Sequence, residues 1–175
     1  GKKITVKPSS KLMKSGRITI QPKKSSGKIK LLNVKRTCGN PGYRGIIEIS
    51  KYDDKLTVVN ELPMEEYLYA VIPSEMPSNY GTEALKVQAV CARTYAYKQL
   101  MRNEFSQYGA HIDDSVASQV YNNIAEDKNS IKAVKDTYGE VMLSENDVIE
   151  AYYFSTSWGC TADAKDVWLS EKRGY

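Results

Sequence analysis

Between Thr82 and Met101 small and apolar residues recur at helical spacing. Leu85, Ala89, Ala92 and Ala96 fall on one stripe, and Val87, Val90, Cys91 and Tyr95 widen it. A helix apolar around most of its circumference must be covered on several sides, so this segment predicts a central, buried helix. Gln88 and Arg93 stand on it as polar exceptions, and each needs a hydrogen bond or a charged partner if it is buried. Just upstream, Pro73 and Pro77 bracket Ser74-Glu75-Met76. Proline removes a backbone donor and disfavours helix in the residue before it, so the bracketed residues are predicted to form a constrained loop.

The rest of the chain divides by period. Ile4-Thr5-Val6, Ile18-Thr19-Ile20 and Ile29 to Val34 alternate apolar and polar residues between Gly16, Pro22 and Gly27, which predicts short strands and turns. Ile46, Ile47 and Ile49, a polar turn at Asp53-Asp54 and Leu56 to Val59 predict a hairpin. Met64 to Val71 predicts a short helix, with Glu65 and Glu66 where the helix dipole favours anions. A second helix is predicted from Ser130, as N-cap, to Thr137, and paired strands over Glu140 to Leu143 and Ile149 to Phe154. The expected fold class is α+β: a basic, strand-rich segment over 1–42, then a domain over 43–175 with helices on a small antiparallel sheet.

Charge is distributed unevenly. Residues 1–36 hold twelve Lys or Arg and no Asp or Glu, leaving 13 basic and 21 acidic residues in the remaining 139. Such a front end suits nucleic acid, an anionic membrane or an anionic polymer such as cell wall, or simply solvated strand faces. The first 36 residues contain no Phe, Tyr or Trp to stack on bases, so nucleic acid is not expected as a partner. No apolar run approaches the ~20 residues that cross a bilayer. The opening Gly-Lys-Lys does not resemble a natural start, and a membrane anchor is expected only upstream of this piece. Cys38, Cys91 and Cys160 are widely spaced and His111 is the single histidine, which argues against a zinc site and against Cys/His or Ser/His nucleophiles. A Cys38–Cys160 bridge is left open. No cofactor or metal is expected.

The candidate for chemistry is Glu75. Held against Ile72 and Met76, its carboxyl should have its charged form disfavoured and could give a proton to a leaving oxygen and take one back. It could equally be a structural carboxylate paired with Arg93. The hydroxyl-rich Ser155-Thr156-Ser157-Trp158-Gly159-Cys160-Thr161 could bind sugar hydroxyls or only turn the chain. Gln119-Val120-Tyr121 and Trp168 could line a sugar groove or pack in the core.

Longer runs carry more information. Asn60-Glu61-Leu62-Pro63-Met64-Glu65-Glu66-Tyr67-Leu68-Tyr69-Ala70-Val71-Ile72-Pro73-Ser74-Glu75-Met76-Pro77 resembles the signature of the stage II sporulation protein D family, shared with amidase-enhancer proteins. Glu83 to Ala96 resembles that family's central helix, and Gln119-Val120-Tyr121, Ser155 to Thr161 and Asp166-Val167-Trp168 its later blocks in order. The resemblance implies an extracytoplasmic lytic transglycosylase that cuts peptide-stripped peptidoglycan strands, with Glu75 as the one acid–base residue. In that chemistry the muramoyl C6 hydroxyl closes on C1 to a 1,6-anhydro ring. The enhancer branch implies an alternative, a wall-binding module that stimulates a separate cell-wall amidase.

On this reading Gln88 and Arg93 orient the glutamate or its loop, and Ser74, Tyr95, Gln119, Tyr121, Ser155, Ser157 and Thr161 line a glycan cleft. Some relatives hold zinc through Cys and His in the stretch that here reads Asp113-Asp114-Ser115-Val116-Ala117-Ser118, so no metal is expected there. Family domains usually run beyond Val167-Trp168, so a C-terminally shortened domain is expected.

Overall fold

In the computed structural model, residues 2–168 are described, except for the side chains of Ala164 and Trp168. The sugar wall expected of Trp168 therefore lies outside them. Strands β1 (Arg17–Ile20), β2 (Ile29–Lys30), β3 (Gly42–Tyr43), β4 (Ile46–Tyr52) and β5 (Lys55–Glu61) come first. Helices α1 (Met64–Glu75), α2 (Thr82–Leu100) and α3 (Lys128–Asp136) follow, then β6 (Leu143–Ser144), β7 (Asp147–Val148) and the short α4 (Ala164–Trp168). The fold is α+β. No helix among the described residues is long and apolar enough to cross a membrane.

The predicted hairpin forms. β4 and β5 pair antiparallel from Ile46↔Glu61 to Tyr52↔Lys55. Asp53 and Asp54 between them both have positive φ, as a two-residue turn matching the strand twist requires. β1 adds to the other edge of β4, so the sheet order is β1-β4-β5 and a strand from the basic segment is part of it. Gly45 makes the corner before β4. Its φ is +67°, and a Cβ there would lie 2.2 Å from the Glu61 carbonyl oxygen, so only glycine fits without moving β5.

Ile47 and Ile49 point from β4 into a core shared with Leu68, Val71 and Ile72 of α1, Leu85, Ala89, Ala92 and Ala96 of α2, and Ala133 and Val134 of α3. Small residues on α2 let both other helices pack closely on it. The stripe runs as the sequence predicts, but Val87 lies outside it, at 64% exposure, and Val90, Cys91 and Tyr95 are half-buried.

Four expectations are corrected. The bracketed prolines do not make a loop: Pro73, Ser74 and Glu75 form the last turn of α1. Pro73 deprives the Tyr69 carbonyl of its helical donor, but so near the helix end only that bond is lost. The Met76 N–H still reaches the Ile72 carbonyl at 2.9 Å, and burial of Tyr67 through Pro73 outweighs the local penalty. Met76 then becomes extended, as the residue before Pro77 should. The second helix is capped three residues earlier than predicted, because Asp127 rather than Ser130 caps it by accepting from the Asn129 and Ser130 N–H groups.

Strand pairing between 140 and 154 shrinks to β6 and β7 around a two-residue turn at Glu145-Asn146, since the backbone beyond Val148 turns to α2. There the Val148 carbonyl accepts from Lys98, and Glu150 from Arg102. Likewise Ile4-Thr5-Val6 forms no strand, and only Ile29–Lys30 of the Ile29 to Val34 run does. The cysteines are all free, so the bridge left open between Cys38 and Cys160 is not formed.

Candidate functional site

α1 delivers Glu75 to its own C-terminal end, at the wall of a groove of about 690 Å³. One side is Pro73 to Asn79 and the other is Asn123 to Asp127. The second side is held in place by many short links. Ser74 donates from its hydroxyl to the Ala70 carbonyl at 2.7 Å and accepts from the Asn123 and Ile124 N–H groups at 3.1 and 3.2 Å. The Asn122 side chain donates to the Gly42 carbonyl, and Thr37 and Cys38 bond to Asn123.

The Glu75 carboxyl is half-buried and has two partners. Its Oε1 accepts from the Val120 N–H at 2.7 Å, and the Tyr153 hydroxyl is hydrogen-bonded to the same carboxyl. Burial holds its pKa above the ordinary glutamate value, while the two donors pull it the other way without cancelling the effect. A carboxyl in that state keeps its proton nearer to neutrality, as a general acid must.

A hydrogen-bond chain leads from the buried Gln119 to Tyr153. Gln119, fully buried, accepts on Oε1 from the Tyr67 hydroxyl at 3.0 Å. Its Nε2 donates to the Ala92 carbonyl at 3.1 Å and to the Tyr153 oxygen at 3.0 Å. With its oxygen already accepting, the Tyr153 hydroxyl has its proton free for Glu75.

The residues expected at the site are thus sorted. Glu75 and Ser74 line the groove, although the Ser74 hydroxyl is engaged in three protein bonds. Gln119 is buried and reaches Glu75 only indirectly, through its bond to the Tyr153 hydroxyl. Tyr121 is not a groove wall: it is buried, stacked on Tyr67 with ring centroids 5.1 Å apart, and its hydroxyl donates to Asn60. Tyr95 is half-buried with its ring against Tyr152 and Tyr153. Arg93 does not meet Glu75. Its Nε and Nη2 take both oxygens of Glu65 at 2.9 and 2.8 Å, and it also donates to the Val134 and Glu140 carbonyls. Gln88 is buried on α2 and has no bond to Glu75 among the described residues. Ser155, Ser157 and Thr161 are exposed and line no part of this groove.

Three participants escaped the sequence reading. Val120 contributes through its backbone, which leaves no trace in residue type. Tyr153 and Glu126 sit far from Glu75 in the chain, Tyr153 in a run of aromatic residues and Glu126 in a segment without apolar period. Among the described residues, no group of three or more His, Cys, Asp or Glu could hold a metal ion.

The chain is similar in sequence to known proteins. Stage II sporulation protein D of Bacillus subtilis (strain 168) is 35% identical over 138 residues, covering 71% of this chain and 40% of that protein. The same protein of Bacillus amyloliquefaciens is 36% identical over 126 residues, covering 64% of this chain and 37% of its own length. The amidase enhancer of Bacillus subtilis (strain 168) is 38% identical over 103 residues, 59% of this chain and 14% of the enhancer. The chain thus spans two fifths or less of the length of these relatives. No solved structure matches. The profile of the stage II sporulation protein family (SpoIID) matches residues 52–143, the span that carries Glu75, Gln119 and the core of all three long helices, and the chain belongs to that family.

Proposed function

We propose that this protein is a lytic transglycosylase acting on peptidoglycan glycan strands, preferably those stripped of stem peptides. The observation that carries the reading is a groove lined by a half-buried carboxyl, Glu75, whose pKa is raised by burial and whose orientation is fixed by Val120 and Tyr153. Glu75 protonates the glycosidic oxygen as the C1–O bond breaks and its electron pair passes to that oxygen. The muramoyl C6 oxygen then bonds to C1 while its proton goes to the Glu75 carboxylate, which restores the acid and leaves a 1,6-anhydro end. No water is consumed. The test is incubation with peptide-stripped glycan followed by mass spectrometry. Anhydro ends are expected, and reducing ends instead would overturn the reaction type.

Activity should fall as pH rises through the raised pKa of Glu75, because the protonated form is the working acid. Tyr153→Phe removes a donor that favours the carboxylate, so the pKa rises further and the alkaline limb of the pH–rate profile moves to higher pH. A limb that stays in place would show that Tyr153 does not act on Glu75.

The similarity to a protein named amidase enhancer supports a second reading, a wall-binding module that stimulates a cell-wall amidase. On that reading Glu75→Gln still raises the rate of an added amidase. For either role we propose a site of action outside the cytoplasm. Most lysines of the basic segment are exposed, among them Lys2, Lys3, Lys7 and Lys11, and are free to meet the carboxylates of muramic acid. Replacing these four by Gln should weaken cosedimentation with purified cell wall at low salt, and undiminished binding would remove them from the interaction.

A further inference from the structure

We propose that Glu126 is a second working carboxylate of the groove, a fixed anion that stabilises the positive charge growing on the sugar as Glu75 protonates the leaving oxygen. The inference rests on the glycan-cleaving reading of Glu75 and adds a group to it.

Glu126 lines the same groove as Glu75, on the opposite wall. Its side chain is only 10% exposed, and three donors from two cations meet it. Arg44 reaches Oε1 through Nε and Oε2 through Nη2, both at 2.8 Å, and Lys28 reaches Oε1 at 2.7 Å. Each cation is itself positioned. The Lys28 stem crosses Gly42 so closely that a Cβ there would lie 3.2 Å from its Cδ. The Arg44 guanidinium sits 5.7 Å from the Tyr69 ring centre, and its carbonyl is held by Asn60 at 2.8 Å.

Burial by itself would push Glu126 towards its protonated form, but the Arg44 and Lys28 bonds outweigh it and hold the carboxyl below its ordinary value. Glu75 across the groove is shifted the opposite way. Two carboxyls in one cleft, one shifted towards its acid form and one towards its anion, follow the division of labour by which glycoside-cleaving sites separate proton donor from anion. The other charges nearby do not fill that role. Asp127 is engaged in capping α3, and Glu66 lies on α1 towards Arg44 and does not line the groove. Glu126 also has capacity left, since among the described residues Oε2 accepts only from Arg44 and keeps a lone pair.

Glu126 forms no bond to the sugar. When the C1–O bond breaks, C1 carries an electron deficit until the C6 oxygen closes on it, and the anion lowers the energy of that interval. A rival account makes Glu126 only a counter-ion for Arg44 and Lys28, tying β2, the β3–β4 corner and the 119–127 segment together.

The experiment compares the wild type, Glu126→Gln and the double variant Arg44→Gln/Glu126→Gln on peptide-stripped glycan strands, counting anhydro ends by mass spectrometry and glycan retention by cosedimentation. The double variant leaves no stranded guanidinium, so it keeps the test open if the single variant fails to fold. We expect Glu126→Gln to lose about a hundredfold in rate with binding retained, and the double variant to stay as slow. Activity within about threefold of wild type in Glu126→Gln, or recovery in the double variant, overturns the proposal in favour of the counter-ion account. A wild type that makes no anhydro ends overturns the glycan-cleaving reading, and the role of Glu126 falls with it.

Discussion

Glu75→Gln is expected to lower the formation of 1,6-anhydro ends by about three orders of magnitude while the fold is retained, within the range for loss of a positioned general acid. The carboxamide is nearly isosteric with the acid. Its oxygen can still accept from the Val120 N–H, and the partner chain through Tyr153 and Gln119 loses no member. What disappears is the transferable proton. The measurement is single-turnover cleavage of peptide-stripped strands beside a thermal melt. Residual activity within tenfold of wild type would mean that another group protonates the leaving oxygen, and Glu75 would then be a structural acceptor for the Val120 N–H.

Arg93→Ala should destabilise the fold by about 3–5 kcal/mol, the cost of breaking a buried charge pair from one side. Arg93 is 2% exposed, and its guanidinium is the point where α1, α2, α3 and the residues after α3 meet. Alanine would strand the Glu65 carboxylate and leave the Val134 and Glu140 carbonyls short of a donor. Urea denaturation reads the effect directly. A midpoint within error of wild type would show that water or a shift of α3 replaces the guanidinium at no cost. An Arg93 variant without activity is therefore expected to report a folding defect, and it should be paired with a melt before any part in the chemistry is assigned to it.

The sequence is most legible where one physical rule acts without competition. The stripe from Leu85 to Ala96 is visible because a buried helix must be apolar on its covered sides. The β4–β5 hairpin is visible because its turn takes two residues that tolerate left-handed backbone. Glu75 stood out because it lies between prolines ahead of that helix. The conformation of its own segment did not, because local proline rules disfavour helix at Ile72 while the burial of Val71 and Ile72, which decides it, depends on partners in β4 and α2.

The same holds for the site. Arg93 looked like a partner for Glu75 from its place on the buried helix, but Glu65, in the first turn of α1, is the carboxylate it meets. Tyr121 looked like a sugar platform because tyrosine is suited to that use, and its burial against Tyr67 is a matter of three-dimensional packing. Tyr153 reaches Glu75, and Glu126 the groove, only through the chain's return, 78 and 51 positions beyond Glu75. No periodicity connects residues at such separations.

The two prolines around Glu75 have an effect that extends to the unfolded chain. Pro73 fixes its own φ, and Pro77 restricts Met76 to extended backbone, whether or not the helix has formed. The segment therefore loses less conformational freedom on folding than an ordinary helix end would, and part of the order around the carboxyl is inherited from covalent structure. Since the groove is open to solvent, that inheritance matters: no lid has to close to immobilise the acid. On the proposed reading a glycan strand would meet Glu75 already in position, and the free energy of binding would be left for the sugar itself.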